Sequence, residues 1–215
     1  MKDFKIDNKG SRTIFNNHLL ERLTRTHFAF PVILYYTIGF GCLGYSISLT
    51  EIQLLSNWWL FPIGMLSFTL LEYVIHRFVF HFKTTTHFEE KIQYYMHGVH
   101  HEFPRDKDRL VMPPVLSIVI SFLFWGVFQV AFGAKGWILF GGFISGYSSY
   151  LLIHYALHAM RPPANFLKYL WKHHSLHHYS EKGAAYAVSL PVWDYVFGTM
   201  PDVKTIKTVS EQVSS

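Results

Sequence analysis

Histidine is the residue type in this sequence that stands out as a candidate for chemistry. The chain has 14 histidines among 215 residues, as many as its aspartates and glutamates combined. Ten of them fall into four spaced clusters, which are His76-x4-His81, His97-x2-His100-His101, His154-x3-His158 and His174-x2-His177-His178. Residues three and four apart share one face of a helix, so the members of the last three clusters are expected to converge. Histidines that merely lie at a protein surface have no reason to be grouped on helix faces. The grouping therefore predicts a metal site.

The first cluster needs a special backbone. His76 and His81 are five residues apart and would point about 140° apart on a straight α-helix. Both can reach one centre only if the helix ends or bends near Phe80. The four histidines outside the clusters are interpreted as ordinary residues of a membrane interface, and they are His18, His27, His87 and His173.

The number of clustered histidines indicates two metal ions. Neutral imidazole suits zinc, copper, iron and nickel. Ten ligands are too many for one ion but match two ions with five ligands and one open position each, and an open position indicates catalysis. Cys42 is the single cysteine, so the chain cannot form an internal disulfide or a four-cysteine cluster. Carboxylates near the clusters in sequence are expected to accept hydrogen bonds from the rings, and they are Glu72, Glu102, Asp106 and Asp194. The preferred pair is Glu72 with His76, which lies one turn further along the helix.

Apolar segments must carry these histidines. Half of the chain is apolar, only 15% is charged, and the mean hydropathy is +0.17, whereas an average soluble domain is roughly 25% charged. A membrane core of roughly 30 Å needs about 20 apolar residues in a helix. Four stretches meet this length, and they are Phe28–Leu49, Ile52–Leu71, Leu110–Ala134 and Gly136–Met160. The second helix is expected to run on to Phe80.

Basic residues predict how these helices are oriented. Of the 19 lysines and arginines, all except Lys135 lie in the N-terminal segment, between the second and third stretches, or after the fourth. The positive-inside rule therefore places these three segments, with all four clusters, on the cytosolic side. The expected organisation is a cytosolic segment 1–27, a membrane domain 28–203 that holds the metals, and a polar tail 204–215. Because the charge follows the topology, we do not expect nucleic acid binding.

The predicted fold is all-α. It is an integral membrane protein with four transmembrane helices and a cytosolic helical cap that holds a two-metal histidine site. In the cap, Thr86 and Glu89 form a capping-box pattern that predicts a helix running through His101. Asn165 is expected to cap a second helix that runs to Tyr179.

The order of the four clusters resembles the fatty acid hydroxylase / sterol desaturase superfamily of integral membrane di-iron oxygenases and, within it, the fatty acid 2-hydroxylases. The resemblance is carried by residues 72–81, 97–114, 146–158, 173–178 and 193–199. A Pro-x-Asp-x-x-Arg-Leu-Val-x-Pro-Pro tract that ends at Pro114 is typical of the 2-hydroxylase branch. The chain has Leu151 where the family often has an acidic residue.

This resemblance implies an oxygen-dependent monooxygenase that hydroxylates the carbon next to the carbonyl of a long acyl chain, either free or in a ceramide-like lipid. It implies that the ten clustered histidines bind two iron ions, which zinc can replace in a purified sample. Tyr147 and Glu72 are then candidate catalytic residues. No side chain supplies the two electrons required, so an external donor is expected, either a cytochrome b5 or a ferredoxin with its reductase. The expected location is the cytoplasmic membrane of a bacterium or the endoplasmic reticulum of a eukaryote, with the catalytic face in the cytosol.

Other functions stay open at this stage. A sterol or carotenoid oxidase or desaturase of the same superfamily would carry the same histidines. A membrane metal transporter would need polar ligands near the bilayer midplane, where the four stretches offer few. A haem-binding cytochrome would leave most of the clustered histidines without a role. The acyl length, the regiochemistry, the donor, the assignment of histidines to ions and the oligomeric state are also open, although Gly142-x3-Gly146 suits close helix packing.

Overall fold

The computed structural model describes residues 5–49, 54–180 and 183–201, and every regular element in these ranges is helical, as predicted. The α-helices are α1 (His18–Leu23), α2 (Ala29–Ser48), α3 (Leu54–Asn57), α4 (Leu60–Ile75), α5 (His87–Gln93), α6 (Val99–Glu102), α7 (Pro114–Phe132), α8 (Gly136–Ala159), α9 (Lys168–Tyr179) and α10 (Val192–Val196). Two π-helical turns, His76–Phe80 and Tyr94–Gly98, follow α4 and α5, and two 3-10 turns, Lys107–Arg109 and Gly133–Lys135, flank α7.

Three helical stretches in the described ranges are long and apolar enough to cross a membrane: Ala29–Ser48, Leu60–Phe80 and Lys107–Ala159. The first agrees with the predicted stretch within one residue at each end. The second begins at Leu60 rather than at Ile52, which lies outside the described residues, and it does run on to Phe80 as predicted. The third has 53 residues and contains both α7 and α8.

The chain divides into two compact units. The histidine unit consists of the described residues within Met1–Ile14, Leu71–Leu110 and Ile153–Ser215, and the apolar unit consists of those within Phe15–Leu70 and Val111–Leu152. All ten clustered histidines belong to the histidine unit. The predicted boundaries at residues 27 and 203 stay predictions, and the predicted tail 204–215 lies outside the described residues.

Glycines allow the helices of the apolar unit to approach closely. A side chain at Gly142 of α8 would collide with the backbone carbonyl of Phe61 on α4, and one at Gly146 would lie 2.9 Å from the Phe68 Cβ. On another part of α8, Ser148 donates a hydrogen bond of 2.7 Å to the Val32 carbonyl of α2. The Gly142-x3-Gly146 pattern therefore packs helices of this one chain.

Two wide helical turns shape the histidine unit. The π-turn after α4 ends with a hydrogen bond from the His81 amide to the His76 carbonyl. Bonds that close over five residues bring His76 and His81 above one another, so the predicted bend near Phe80 takes the form of a π-turn. The second π-turn precedes His100 and His101, and it divides the predicted helix through His101 into α5 and α6.

The predicted start of α5 is confirmed, whereas α9 starts later than predicted. At α5, the Thr86 hydroxyl accepts from the Glu89 amide and the Glu89 carboxylate accepts from the Thr86 amide, which confirms the capping box. Asn165 accepts a hydrogen bond from the Leu167 amide, but α9 itself begins only at Lys168. Asn165 therefore caps the turn that leads into α9, and α9 ends at Tyr179 as predicted.

Adding a methyl group at Gly142 tests the packing of the apolar unit. Replacement of a helical glycine by alanine ordinarily stabilises a protein by about 0.4–1 kcal/mol. At Gly142→Ala the methyl group overlaps the Phe61 carbonyl, so we expect a loss of about 1–3 kcal/mol. The matched control is Gly126→Ala on α7, where an added Cβ meets nothing within 4 Å. Thermal unfolding in detergent should show a lower midpoint for Gly142→Ala only, and equal midpoints would contradict this packing.

Candidate metal centre

The ten clustered histidines gather into two groups of five. Group A contains His76, His81, His97, His101 and His177. Group B contains His100, His154, His158, His174 and His178. In each group the possible ligand atoms all lie within 4.8 Å of one another. The clusters His97-x2-His100-His101 and His174-x2-His177-His178 each contribute to both groups. Histidines of one cluster, which were expected to converge on one point, are therefore divided between the two groups.

Group A is centred on His97. Its Nε2 atom lies 3.0 Å from the Nε2 atom of His76 and 3.0 Å from that of His101. The His101 Nε2 atom lies 3.2 Å from the Nε2 atom of His177. The ring of His81 lies 5.0 Å from that of His97, and its buried Nε2 atom has no hydrogen-bond partner among the described residues.

Group B has the same character. The His154 Nε2 atom lies 3.1 Å from that of His100 and 3.2 Å from that of His158. The Nε2 atoms of His158 and His174 are 2.7 Å apart. The ring of His178 lies 4.7 Å from the rings of both His158 and His174, and both of its buried nitrogens are without a hydrogen-bond partner in the described chain.

Burial keeps these rings neutral. It lowers the pKa of His81 to about 2 and that of His177 to about 4, although the hydrogen bond that the His177 ring donates to the Ala184 carbonyl acts in the opposite direction. Burial, followed by repulsion between neighbouring imidazoles, also holds five further pKa values well below the usual 6.5, those of His97, His100, His101, His174 and His178. Each neutral ring therefore has one N–H and one lone pair.

Backbone carbonyls decide which nitrogen carries the proton in three rings. The pairs are His76 Nδ1 with the Tyr186 carbonyl, His177 Nδ1 with the Ala184 carbonyl at 2.9 Å, and His154 Nδ1 with the Leu110 carbonyl at 3.1 Å. A carbonyl oxygen can only accept, so Nδ1 carries the hydrogen and the lone pair is on Nε2. In all three rings this leaves the Nε2 lone pair facing the other histidines, which is the arrangement of a metal-ligating imidazole.

The donor set fits a metal ion in each group. Several nitrogens with lone pairs meet at distances of 2.7–3.2 Å, and there are too few ring protons to join them all by hydrogen bonds. Two nitrogens bound to one ion at about 2.1 Å and at a right angle are about 3.0 Å apart. Neutral imidazole suits zinc, copper, iron and nickel. Each group could therefore hold one such ion.

Glu72 has a different partner from the one expected. Its buried carboxylate accepts hydrogen bonds from the amides of Val188 and Ser189, at 2.6 and 3.0 Å, and from the Ser189 hydroxyl. The His76 ring donates to the Tyr186 carbonyl instead. The predicted contact between Glu72 and His76 is therefore wrong, because backbone amides compete for the carboxylate and helical spacing alone does not reveal them.

Tyr147 lies in the apolar unit. Its ring packs 5.0 Å from that of Tyr35 and 5.4 Å from that of Phe68. Its buried hydroxyl has no hydrogen-bond partner in the described part of the chain, whereas the Tyr35 hydroxyl donates to Ser117 at 2.6 Å. Leu151, at the position where an acid is often found, is buried in the same unit.

The prediction that His173 is an interface residue is wrong. His173 is only 2% exposed, and its Nε2 atom lies 2.9 Å from a carboxylate oxygen of the fully buried Asp194. It is therefore a buried, paired side chain rather than an interface residue. No short sequence pattern reveals this pair, because the two residues are 21 positions apart. His18, His27 and His87 are exposed.

Comparison with known proteins finds a matching family. The model of the family described as "Fatty acid hydroxylase" matches residues 61–199, a range that includes all ten clustered histidines. It also includes Glu72, Tyr147 and Asp194.

Individual relatives are similar over much of the chain. Dihydroceramide fatty acyl 2-hydroxylase FAH1 of Arabidopsis thaliana is 35% identical over 208 residues, which cover 93% of this chain and 84% of that protein. Fatty acid 2-hydroxylase of Rattus norvegicus is 39% identical over 145 residues, which cover 66% of this chain but 39% of the rat protein. A solved structure of full-length scs7p, in which only the hydroxylase domain is visible, has a TM-score of 0.82 and 32% identity, covering 90% of this chain and 74% of that one.

The family match, the relatives and the two histidine groups agree with one another. Fatty acid hydroxylases are oxygen-dependent monooxygenases that act on membrane lipids. The chain belongs to the fatty acid hydroxylase family.

Proposed function

We propose that this chain hydroxylates the carbon next to the carbonyl of a long acyl chain, in a free fatty acid or a ceramide-like lipid. The observation that carries the proposal is the pair of buried five-histidine groups in a chain of this family. The names of the Arabidopsis and rat relatives favour an acyl substrate over a sterol or carotenoid. In the balanced reaction, a CH2 group, O2, two electrons and two protons give a CHOH group and water.

The proposed metals are two iron ions, one in group A and one in group B, with the ten histidines as ligands. Bound iron would supply the activation of O2 needed to oxidise an unreactive C–H bond. Zinc can take the place of iron in a purified sample, because imidazole suits both metals. The neutral donor set supports the proposal, since no proton has to leave before the rings can bind a cation.

The protein's own contribution is to hold and shield the rings. Carbonyls at Leu110, Ala184 and Tyr186 keep three rings in the tautomer that presents Nε2. Burial excludes bulk water, which prevents side reactions at the site. Glu72 is proposed to act by anchoring the backbone at Val188.

Tyr147 is proposed to contact the lipid substrate. Its hydroxyl is a buried polar group without a partner in the described chain, and a buried group of this kind costs free energy until it forms a hydrogen bond. A carbonyl or hydroxyl of the lipid would provide that bond. The aromatic rings of Tyr35 and Phe68 around Tyr147 suit the apolar part of the same ligand.

The two electrons are proposed to come from a separate protein, either a cytochrome b5 or a ferredoxin with its reductase. Exposed basic side chains of the histidine unit support docking of an acidic donor, and they include Lys5, Lys9, Arg105, Lys107 and Lys172. Charge complementarity of this kind speeds the encounter of two proteins.

Four membrane crossings are proposed, with a helical cap that holds the histidine clusters on the cytosolic side. A single helix of 53 residues would be about 80 Å long, far more than a hydrocarbon core of roughly 30 Å. The stretch Lys107–Ala159 is interrupted after α7 by Gly133, whose φ of +55° ends that helix. Two crossings from this stretch, together with α2 and Leu60–Phe80, make four. The membrane would be the cytoplasmic membrane of a bacterium or the endoplasmic reticulum of a eukaryote.

Loss of one ligand tests the proposed reaction. Iron-loaded protein with O2 and a donor system should convert long acyl lipids to 2-hydroxy lipids, detected by mass spectrometry. His100→Ala should lower product formation by at least about 100-fold, since even residues that only support metal ligands contribute 10–100-fold, and should reduce the iron bound per chain. The matched control is His87→Ala, whose side chain is 91% exposed.

The product identifies the substrate class. Oxidised sterol or carotenoid in place of a 2-hydroxy lipid would overturn the acyl assignment. Equal activity of His100→Ala and the wild type would overturn the metal assignment.

Cysteine labelling tests the proposed topology. In a Cys42→Ser background, Lys9→Cys should react with an impermeant thiol reagent from the cytosolic side of membrane vesicles only. Lys135→Cys should react from the opposite side only, because it lies in the turn between α7 and α8. Both positions are exposed. Labelling of both from the same side would contradict three crossings between these two positions, and with them the four proposed crossings.

Acid should destabilise the metal-free protein. An unfolded histidine takes up a proton near pH 6.5, whereas His177 in the fold does so only at about pH 4. Between these values the unfolded state binds more protons, so the free energy of unfolding falls as the pH falls. His177 alone would account for about 2 kcal/mol at pH 5. Thermal midpoints in detergent should therefore decrease from pH 7 to pH 5, and a constant or rising midpoint would contradict buried neutral rings.

A further inference from the structure

The loop between α9 and α10 touches group A through its backbone. We call residues 184–189 the carbonyl loop. Its carbonyl oxygens at Ala184 and Tyr186 accept the Nδ1–H groups of His177 and His76, respectively. These two rings come from different helical segments, the end of α9 and the π-turn after α4, so one short loop orients two separate parts of group A.

Asp194 holds this loop from behind. Its carboxylate is fully buried and accepts hydrogen bonds from the amides of Tyr186 at 2.9 Å and Ala187 at 2.8 Å. It also accepts from the Thr199 hydroxyl at 2.7 Å, and it lies 2.9 Å from the His173 Nε2 atom. Asp194 therefore binds two consecutive amides of the loop, and its other two bonds fix the carboxylate itself.

The loop needs this support because its backbone is unusual. Ala185, which lies between the two carbonyls that accept from the histidines, has a φ of +58°. Residues other than glycine rarely adopt this left-handed conformation, and they keep it only where the surrounding structure holds them. The Ala185 amide donates to the Thr199 carbonyl at 2.9 Å, and the next two amides are those bound by Asp194.

Group B is oriented in another way. The only ring of group B for which the described structure shows a backbone acceptor is His154, and its acceptor is the Leu110 carbonyl. Leu110 is not part of the carbonyl loop. Displacement of the loop should therefore disturb group A while it leaves the orientation of group B unchanged.

We propose that Asp194 is a positioning residue for group A, which holds the carbonyl loop in the conformation that orients His76 and His177. Asp194 is not a member of either histidine group. The inference rests on the proposed function, in which each group binds one iron ion. It predicts that the two ions differ in their dependence on a single buried carboxylate.

Asp194→Asn is a sharp test because it keeps the size of the side chain. The two carboxylate oxygens each accept one loop amide, Tyr186 at one oxygen and Ala187 at the other. An asparagine has only one oxygen, so in either orientation its NH2 group faces one of these N–H groups and cannot accept from it. One end of the loop must then move.

The measurement is ferrous iron bound per chain, with full-length protein in detergent under anaerobic conditions. The wild type should bind two ions. Asp194→Asn should bind one of them with unchanged affinity and the other about 10–100-fold more weakly, which is the usual effect of losing support for a metal ligand. The matched control is Asp108→Asn, the same chemical change at an exposed position of the histidine unit, and it should keep both ions.

Double variants identify which ion is weakened. His177→Ala removes a group A ligand and His174→Ala removes a group B ligand. Asp194→Asn combined with His177→Ala should still bind one ion, because both changes affect group A. Asp194→Asn combined with His174→Ala should bind close to none at the same iron concentration.

A second pair of variants perturbs the loop without changing the carboxylate. Ala185→Val introduces a β-branched residue at a φ of +58°, which strongly disfavours the present backbone. It should weaken one ion as Asp194→Asn does. Ala185→Gly suits this φ better than alanine and should keep both ions.

The outcomes separate the inference from the proposed function. Selective weakening of the group A ion in Asp194→Asn and Ala185→Val supports the inference. Retention of both ions at wild-type affinity would overturn the inference. Equal loss of both ions, or a failure to fold, would also overturn it, because Asp194 would then support the whole histidine unit. A wild type that binds no pair of ions would overturn the proposed function and the inference with it.

Discussion

The structure depends on burying uncharged imidazole rings with their lone pairs directed at one another. Lone pairs that face each other without protons between them repel, so this arrangement is unfavourable unless a cation occupies the space they share. Ring nitrogens lie as close as 3.0 Å in group A and 2.7 Å in group B, and the rings have too few protons to place one between every such pair. Burial lowers the pKa of the rings outside the apolar stretches and so prevents protons from relieving that repulsion. The site is in this sense prepared for metal before metal arrives.

Such an arrangement requires rigid support, because imidazole rings can rotate and exchange tautomers. The support comes mainly from backbone carbonyls, at Leu110, Ala184 and Tyr186. Two buried carboxylates, Glu72 and Asp194, then hold the backbone that carries two of these carbonyls. Acidic residues thus contribute to the site through the backbone, and neither belongs to a histidine group. This differs from ferritin-like bundles, in which carboxylates bind the metals themselves.

The apolar unit is organised by close helix contacts at glycines. In a membrane the hydrophobic effect does not drive helices together, so association relies on close van der Waals packing. Gly142 and Gly146 on α8 provide this packing against α4. Tyr147 follows Gly146 on α8, and its ring packs against those of Tyr35 and Tyr150. Its buried hydroxyl has no hydrogen-bond partner among the described residues.

The sequence alone determined which histidines come together. The spacing of the ten histidines, the apolar stretches and the capping box at Thr86 were readable because they depend on helical periodicity, which acts over a few residues. The π-turn at His76–Phe80 was foreseen only as a bend, since five-residue spacing requires some departure from an α-helix.

Only the tertiary structure decided how the histidines divide between two groups, and that Glu72 binds the amides of Val188 and Ser189. It also revealed that His173 pairs with Asp194 across 21 positions. The physical reason is that these contacts join segments distant in sequence. For Glu72 the partners are backbone N–H groups, which every residue except proline carries and no sequence pattern marks.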